Sequence, residues 1–277
     1  VLPAPDSGKA GSADGANANA RIWVVDDQSI NRIVVKQLLD SQGYEALLLE
    51  SGAEAVELIE SEQAAADLIL MDLHMPDMDG IEATVRIRKL HDKERLPIVA
   101  VTADVTPEMH ARCRDAGMND IVTKPIDPGV LYASIGRWLP GAGLSPSLPS
   151  PVPIVEAVGQ SWPNLPELEA GVALQRIGGK EQLYMKLLDK FMAQYSDFQQ
   201  QLDRLREDGK MNDAIRLAHS LSGSAGHLGA LAIQEAAATL ERSLRGEDRA
   251  AEAEERLNRS LETGLKTMNR LLNEKRS

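Results

Sequence analysis

The sequence predicts an α/β domain with a doubly wound, five-stranded parallel sheet, followed by an all-α antiparallel four-helix bundle. Two observations support this prediction. In residues 21–140, short apolar runs alternate with segments whose apolar residues recur at helical spacing. From residue 167 onwards only the helical spacing remains, and glycines separate the segments.

The composition divides the chain into four segments. Residues 1–20 consist mainly of small and polar residues, which have little to bury, and we expect a flexible linker there. Residues 21–140 form the first domain, residues 141–166 a linker rich in proline and serine, and residues 167–277 the second domain.

Charge and cysteine content exclude several classes of protein. The net charge of -12 argues against nucleic-acid binding and against contact with an anionic membrane surface. The single cysteine, Cys113, excludes an internal disulfide and fits a reducing, cytoplasmic compartment. No apolar run is long enough to span a membrane. The first residue is Val rather than Met, which leaves open a longer protein that is anchored in a membrane elsewhere.

The elements of the first domain follow from apolar runs and turn residues. Strands are predicted at residues 21–25, 44–48, 67–72, 96–101 and 121–122. Helices are predicted at residues 29–43, 52–61, 81–90, 106–117 and 128–139. Ser29 is expected to cap the first helix, and Thr106 to cap the fourth. The apolar faces are expected to be Ile30, Val34 and Leu38 on the first helix, and Ile81, Val85 and Arg88 on the third.

Polar residues follow four of these strands. Asp26 and Asp27 follow the first strand, Asp72 ends the third, Thr102 follows the fourth and Lys124 follows the fifth. The carboxyl ends of parallel strands meet at one edge of a sheet, so we expect these side chains to lie together.

This set of residues predicts phosphoryl-transfer chemistry. Three carboxylates in one cleft require a cation, and oxygen ligands suit Mg²⁺. We expect Asp72 to be a carboxylate nucleophile, with Lys124 and Thr102 binding phosphoryl oxygens. Each residue alone has a structural explanation instead: Asp72, for example, would cap the turn after its strand.

The first domain resembles a response-regulator receiver domain over residues 21–140. The matching residues are Asp26-Asp27, Asp72 with Met75-Pro76 and Gly80, Thr102-Ala103 and Lys124-Pro125. The resemblance implies a flavodoxin-like fold, bound Mg²⁺ and phosphorylation of Asp72. It also implies that the carbonyl oxygen of His74 is a metal ligand and that the peptide bond before Pro125 is cis. Ile121 stands where receivers usually carry Tyr or Phe, which predicts a small conformational output.

The second domain is predicted to begin with a short helix that buries Leu168, Val172 and Leu174. A single long helix should follow and end at Gly209. Three more helices follow, and Gly246 ends the second of them. The apolar stripe of the long helix comprises Tyr184, Leu187, Leu188, Phe191, Tyr195, Phe198, Leu202 and Leu205.

His219 is the candidate functional residue of this bundle. It lies about 200° around its helix from Leu217, which predicts that it faces water. Gly223 and Gly226 lie on its strip, and each costs roughly 1 kcal/mol relative to alanine, so we expect them to make room for a docking partner. A neutral imidazole is nucleophilic near pH 7 without an acidic partner. The alternative is an exposed histidine on a helix loosened by glycines.

Residues 167 to about 245 resemble a histidine phosphotransfer domain. The match rests on the run from Ala218 to Ala225, followed by Gly229-Ala230 and Leu240-Glu241. The resemblance implies phosphorylation of His219. Ser222 stands where these domains most often carry a lysine. His227 is a weaker candidate, while His91 and His110 are expected to be ordinary surface residues.

Together the two domains resemble the C-terminal part of a hybrid sensor histidine kinase. The predicted function is two stations of a phosphorelay: Asp72 accepts a phosphoryl group from a phosphohistidine, and His219 exchanges one with a receiver. The predicted partners are an upstream histidine kinase domain and a downstream response-regulator receiver. The chain lacks the glycine motifs of a kinase core and so cannot start the relay with ATP. The alternatives are a regulatory interaction module and a phosphate sink.

Overall fold

The computed structural model describes residues 20–103, 106–139, 162, 165–246 and 250–276. Nearly all of the two predicted linkers therefore lies outside the described residues. The predicted α/β domain and the predicted helical bundle both lie within them.

The first domain contains the predicted five-stranded parallel sheet, and its strand order is β2-β1-β3-β4-β5. The strands β3 and β4 are buried along their whole length, because they lie at the centre of the sheet and helices cover both of its faces. The strands are β1 Arg21–Val25, β2 Glu45–Leu49, β3 Leu68–Asp72, β4 Ile98–Thr102 and β5 Asp120–Thr123.

Five helices alternate with these strands: α1 Ser29–Ser41, α2 Gly52–Glu60, α3 Gly80–Ile87, α4 Pro107–Asp115 and α5 Pro128–Trp138. Thr106 caps α4 as predicted, since its side-chain oxygen accepts the Met109 N–H at 3.3 Å. The predicted cap of α1 is wrong. Ser29 lies within the helix, and the Asp26 carboxylate accepts the Gln28 N–H at 2.7 Å instead.

The predicted apolar face of α3 is also wrong. Val85 is 45% exposed, whereas Ala83, Thr84 and Ile87 are buried. Thr84 is tolerated in the core because its hydroxyl donates to the Gly80 carbonyl at 2.7 Å. The sequence pattern misled because two of these three buried residues, Ala83 and Thr84, are small.

The second domain contains α6 Ala170–Arg176, α7 Glu181–Tyr195, α8 Phe198–Glu207, α9 Met211–His227, α10 Leu231–Leu244 and α11 Ala250–Arg276. The predicted long helix is in fact α7 and α8, with a break at Ser196 and Asp197. Its apolar stripe is buried as expected, except that Leu205 is only partly buried. Val172 is exposed, because α6 buries Ala173 and Leu174 instead. The remaining helices form the predicted bundle.

Helix α1 belongs to the cores of both domains. Its residues Val35, Leu38 and Leu39 pack on the sheet. Ile30 and Val34 pack into the core of the helical domain, so the predicted single face of Ile30, Val34 and Leu38 is wrong. This double packing holds the helical domain against the first domain.

Hydrogen bonds surround this apolar contact between the domains. The Lys180 ammonium donates to Gln37 Oε1 at 2.8 Å, and the Gln194 amide donates to Gln28 Oε1 at 2.7 Å. As a result, α9 lies over the carboxyl edge of the sheet, where its Gly223 approaches Asn31 and Lys124.

Candidate functional site

Three carboxylates meet at the carboxyl edge of the sheet, as the sequence predicted. Asp26, Asp27 and Asp72 each offer one oxygen atom, and these atoms lie within 4.8 Å of one another. Asp26 and Asp27 follow β1 and Asp72 ends β3, and these two strands are neighbours in the sheet. Asp26 and Asp72 are almost fully buried.

Lys124 joins this cluster from the end of β5. Its ammonium donates to Asp26 Oδ2 and to Asp72 Oδ2, at 2.8 Å each. Its backbone N–H donates to the Thr102 carbonyl at 2.8 Å, and its peptide bond to Pro125 is cis. Thr102 is fully buried at the end of β4. The structure therefore brings all five strand-end residues to one edge.

Burial and charge act against each other in this cluster. Burial raises the pKa of Asp26 to about 6, although the Lys124 ammonium opposes this shift. Burial and then the charge of Asp72 also raise the pKa of Asp27. At Asp72 burial opposes ionisation, but Lys124 and then His219 outweigh it, so its pKa is lowered. Burial opposes the charge on Lys124, but the carboxylates outweigh it and hold its pKa above the usual value.

This cluster fits a divalent cation. It contains three carboxylates but one ammonium, so negative charge is in excess. Asp27 Oδ1 is buried and has no hydrogen-bond partner among the described residues. Oxygen ligands of this kind suit Mg²⁺. The backbone of His74 lies beside Asp72, because its N–H donates to Asp72 Oδ1 at 3.3 Å. The His74 carbonyl as a ligand stays a prediction.

His219 lies on α9, and the prediction that it faces water is wrong, since it is only 5% exposed. The first domain covers it: the centroids of the His219 and His74 rings are 4.3 Å apart, with the ring planes at 44°. The angular position of His219 on its own helix does not show the surface that the other domain supplies.

His219 also has an acidic partner, which the sequence analysis did not expect. Glu241 Oε2 on α10 lies 3.1 Å from His219 Nδ1, and Arg245 donates to Glu241 Oε1 at 2.7 Å. Burial opposes ionisation of Glu241, but the hydrogen bond from His219 outweighs it and the pKa falls to about 2. In the neutral ring with its proton on Nδ1, the Nδ1–H donates to the Glu241 carboxylate, and Nε2 keeps its lone pair.

The neighbours of His219 are partly as predicted. A Cβ atom on Gly223 would lie 3.8 Å from Asn31 Nδ2 and 3.8 Å from Lys124 Cδ, so Gly223 does lie against the receiver. Gly226 does not, because a Cβ there would meet the Gln234 side chain of α10 at 2.8 Å. The Ser222 hydroxyl donates to the Gln234 carbonyl at 3.1 Å.

Asp72 and His219 therefore lie close together. Asp72, His74 and His219 each offer one ligand atom, and these atoms are all within 4.8 Å of one another. His219 Nε2 is buried and lacks a hydrogen-bond partner in the part of the chain that the structure describes. Burial and then the charge of His219 lower the pKa of His74 to about 4.

The other histidines differ from one another. His110 is exposed and His91 is half-buried. His227, at the end of α9, is buried, and neither ring nitrogen has a hydrogen-bond partner within the described ranges. Burial, followed by the charges of Lys124 and Arg176, lowers its pKa to about 3. His227 is therefore held neutral.

Comparison with known protein families gives one match for each domain. Residues 22–136 match the response regulator receiver domain, and residues 186–274 match the Hpt domain. The predicted boundaries at residues 21–140 and 167–277 stay predictions. No helix within the described ranges is long and apolar enough to cross a membrane.

Curated relatives match most of this chain. The signal transduction histidine-protein kinase BarA of Escherichia coli K12 is 31% identical over 224 residues, which are 81% of this chain and 24% of BarA. The sensor protein GacS of Pseudomonas syringae is 31% identical over 86% of this chain and 26% of GacS. The chain thus spans about a quarter of the length of these relatives.

A solved structure matches the first domain. It is the receiver domain of the sensor histidine kinase PA1611 of Pseudomonas aeruginosa PAO1, with a magnesium ion coordinated in its active-site cleft. The sequences are 36% identical, the match covers 44% of this chain and 98% of that one, and the TM-score is 0.40.

Proposed function

Because this chain belongs to the two-component phosphorelay proteins, as a receiver domain followed by a histidine phosphotransfer domain, we propose that Asp72 and His219 of one chain exchange a phosphoryl group. One observation carries this proposal. A carboxylate oxygen of Asp72 and a ring nitrogen of His219 lie within 4.8 Å, a gap that one phosphoryl group can bridge.

The chemistry of the exchange follows from the surroundings of His219. Nε2 attacks the phosphorus of the aspartyl phosphate, a P–N bond forms, and the P–O bond to Asp72 breaks. The electron pair stays on the Asp72 carboxylate. The Nδ1 proton remains in the hydrogen bond to Glu241, whose negative charge stabilises the positive charge that develops on the ring. Glu241 is thus a positioning residue.

The receiver residues stabilise the transferring group. The Lys124 ammonium, already 2.8 Å from Asp72 Oδ2, would stabilise charge on the phosphoryl oxygens, and the Thr102 hydroxyl would donate to another of them. Asp26, Asp27, Asp72 and the His74 carbonyl would hold Mg²⁺. The metal would neutralise part of the phosphoryl charge when bound.

Partners on each side of the chain complete this proposal. An upstream histidine kinase domain supplies the phosphoryl group to Asp72, and a downstream receiver accepts it from His219. Since His219 is 5% exposed in the docked domains, a downstream receiver cannot reach it there. The two domains must therefore separate before the group leaves the chain.

The test uses ³²P-labelled acetyl phosphate as the donor to the full chain, with Mg²⁺. Phosphohistidine withstands base and aspartyl phosphate does not, so base-stable label reports His219. We expect base-stable label in the wild type. His219→Gln should keep only base-labile label, and Asp72→Asn should carry none. Asp77→Asn is the matched control, because Asp77 is exposed and asparagine tolerates its φ of 63°.

A mixture of the two inactive variants tests whether exchange occurs within one chain. Asp72→Asn supplies His219 and His219→Gln supplies Asp72, so label on histidine then requires two chains. We expect this label to form slowly and in proportion to concentration, whereas wild-type label should not depend on concentration. Equal rates would contradict exchange within the chain. Amide-exchange changes at α4 with beryllofluoride but no label on His219 would instead favour a regulatory module.

A further inference from the structure

We propose that the docked domains form a second metal site, for a transition-metal dication such as Zn²⁺, from the Asp72 carboxylate and the imidazoles of His74 and His219. One ligand atom from each of the three residues lies within 4.8 Å of the others. This site differs from the carboxylate cluster, because two of its three ligands are nitrogen atoms and one comes from the other domain.

The ligand types select the metal. Zn²⁺ binds imidazole nitrogen and carboxylate oxygen readily, whereas Mg²⁺ prefers oxygen ligands alone. Two histidines and one carboxylate leave a fourth tetrahedral position for water. The Lys124 ammonium donates a hydrogen bond to Asp72 Oδ2. Asp72 Oδ1, by contrast, accepts a long hydrogen bond of 3.3 Å from the His74 N–H. Oδ1 is therefore the oxygen atom that a metal would take.

The two histidines have buried ring nitrogens that can bind a metal. His219 Nε2 and His74 Nδ1 both lack hydrogen-bond partners among the residues described. The other nitrogen of His219, Nδ1, lies 3.1 Å from Glu241 Oε2. Histidines that bind metals usually donate their second N–H to a carboxylate, which fixes the tautomer and the ring. Arg245 holds Glu241 in place at 2.7 Å, so this outer shell is already assembled.

A cavity between the domains reaches His74, one of the three ligands. Its volume is about 450 Å³, and residues of both domains line it, among them His74 from the receiver and Ile215 and Arg245 from the helical domain.

Metal binding at this site would have two consequences. It would hold the domains together, because the ligands come from both of them. It would also occupy Asp72 and His219 and thereby block phosphoryl exchange, a consequence that rests on the proposed function. Metal binding itself does not rest on the proposed function, so metal binding and phosphoryl exchange can be tested separately.

The test is a titration of the full, unphosphorylated chain with Co²⁺, followed by its visible absorption, and then displacement by Zn²⁺ in the presence of Mg²⁺. We expect one Zn²⁺ per chain. His74→Ala and His219→Gln should each weaken binding roughly tenfold or more. His110→Ala is the matched control, since His110 is exposed and lies outside the site, and it should bind like the wild type.

A second pair of variants tests whether the site needs both domains. Val34→Asp should separate the domains and weaken Zn²⁺ binding roughly tenfold, although Val34 is not a ligand. Val85→Asp places the same charge on the exposed face of α3 and should change nothing. Amide exchange in α1 and α9 should slow with Zn²⁺. Unchanged affinity in His74→Ala or in Val34→Asp would overturn the proposal.

Discussion

The Asp72 site and the His219 site are assembled in different ways. Asp72 lies among charged groups from β1, β3 and β5, and the Lys124 ammonium bridges two of the carboxylates at 2.8 Å each. His219 lies on one helix, α9, and Glu241, the carboxylate beside its Nδ1, comes from the next helix along the chain. Small and apolar residues form much of its remaining surroundings in α9.

The difference determines what each site needs from the rest of the protein. Opposed charges hold the receiver cluster together, and sheet order alone places them. Packing holds the histidine site, and its burial is completed only by the receiver, through His74. We therefore expect the first site to respond to changes of charge and the second to changes of packing.

Removal of the Lys124 charge tests the first half of this comparison. Lys124→Ala leaves two buried carboxylates without their shared cation, so the receiver without metal should lose about 3 kcal/mol of unfolding free energy. Phosphoryl exchange should fall about a hundredfold. Urea unfolding and the label time course measure these effects.

Lys36→Ala is the control for this experiment. Lys36 forms an exposed ion pair with Asp40, and such pairs contribute about 1 kcal/mol or less. Equal losses in Lys124→Ala and Lys36→Ala would show that the buried pair does not hold the receiver site together.

Separation of the domains tests the surface that the two sites share. Val34→Asp puts a charge among the apolar residues of the helical domain while leaving the sheet-facing residues of α1 intact. Exchange within the chain should fall at least roughly tenfold. His219 should become accessible to diethyl pyrocarbonate. Val85→Asp should keep the wild-type rate, and an equal rate in Val34→Asp would contradict the docking described above.

The burial of His227 makes the stability of the helical domain depend on pH. Its pKa is about 3 in the folded protein and about 6.5 in the unfolded chain, so only the unfolded chain binds this proton between those values. Its contribution to stability is complete above pH 6.5 and is lost as the pH falls. From pH 7.5 to 5.0 the helical domain should lose about 2 kcal/mol.

The measurement compares urea unfolding of the wild type and of His227→Leu at the two pH values, through NMR signals of α9. His227→Leu should lack this part of the pH dependence. His110→Ala should retain it, because His110 is exposed. A full pH dependence in His227→Leu would mean that other groups cause it.

Gly223 should give the smallest effect. A Cβ there would make ordinary contacts at 3.8 Å, so Gly223→Ala should keep docking and exchange within about twofold of the wild type. Stability should rise by up to about 1 kcal/mol from helix propensity. Gly223→Gln should instead clash with Asn31 and Lys124 and slow exchange. Thermal unfolding and the label time course distinguish these outcomes.

The strand-end residues show how much of the site could be predicted. The carboxyl ends of parallel strands lie at one edge of a sheet. The proximity of the five residues at these ends could therefore be predicted from the sequence: Asp26, Asp27, Asp72, Thr102 and Lys124. Glu241 could not be assigned as the partner of His219, because its position depends on how α9 and α10 pack. The buried face of α3 was also predicted wrongly. Thr84 can be buried because its hydroxyl donates to the Gly80 carbonyl, and a pattern of apolar residues does not show this hydrogen bond.

The two domain types, and Asp72 and His219 as candidate site residues, could be identified from the sequence, because strand ends, helix spacing and motif residues are local properties. The packing of the two domains determines that Ile30 and Val34 belong to the core of the other domain and that His74 covers His219. A helical wheel shows which side of a helix is apolar, but it does not show which domain that side contacts. The position of His219 beside Asp72 depends on that contact.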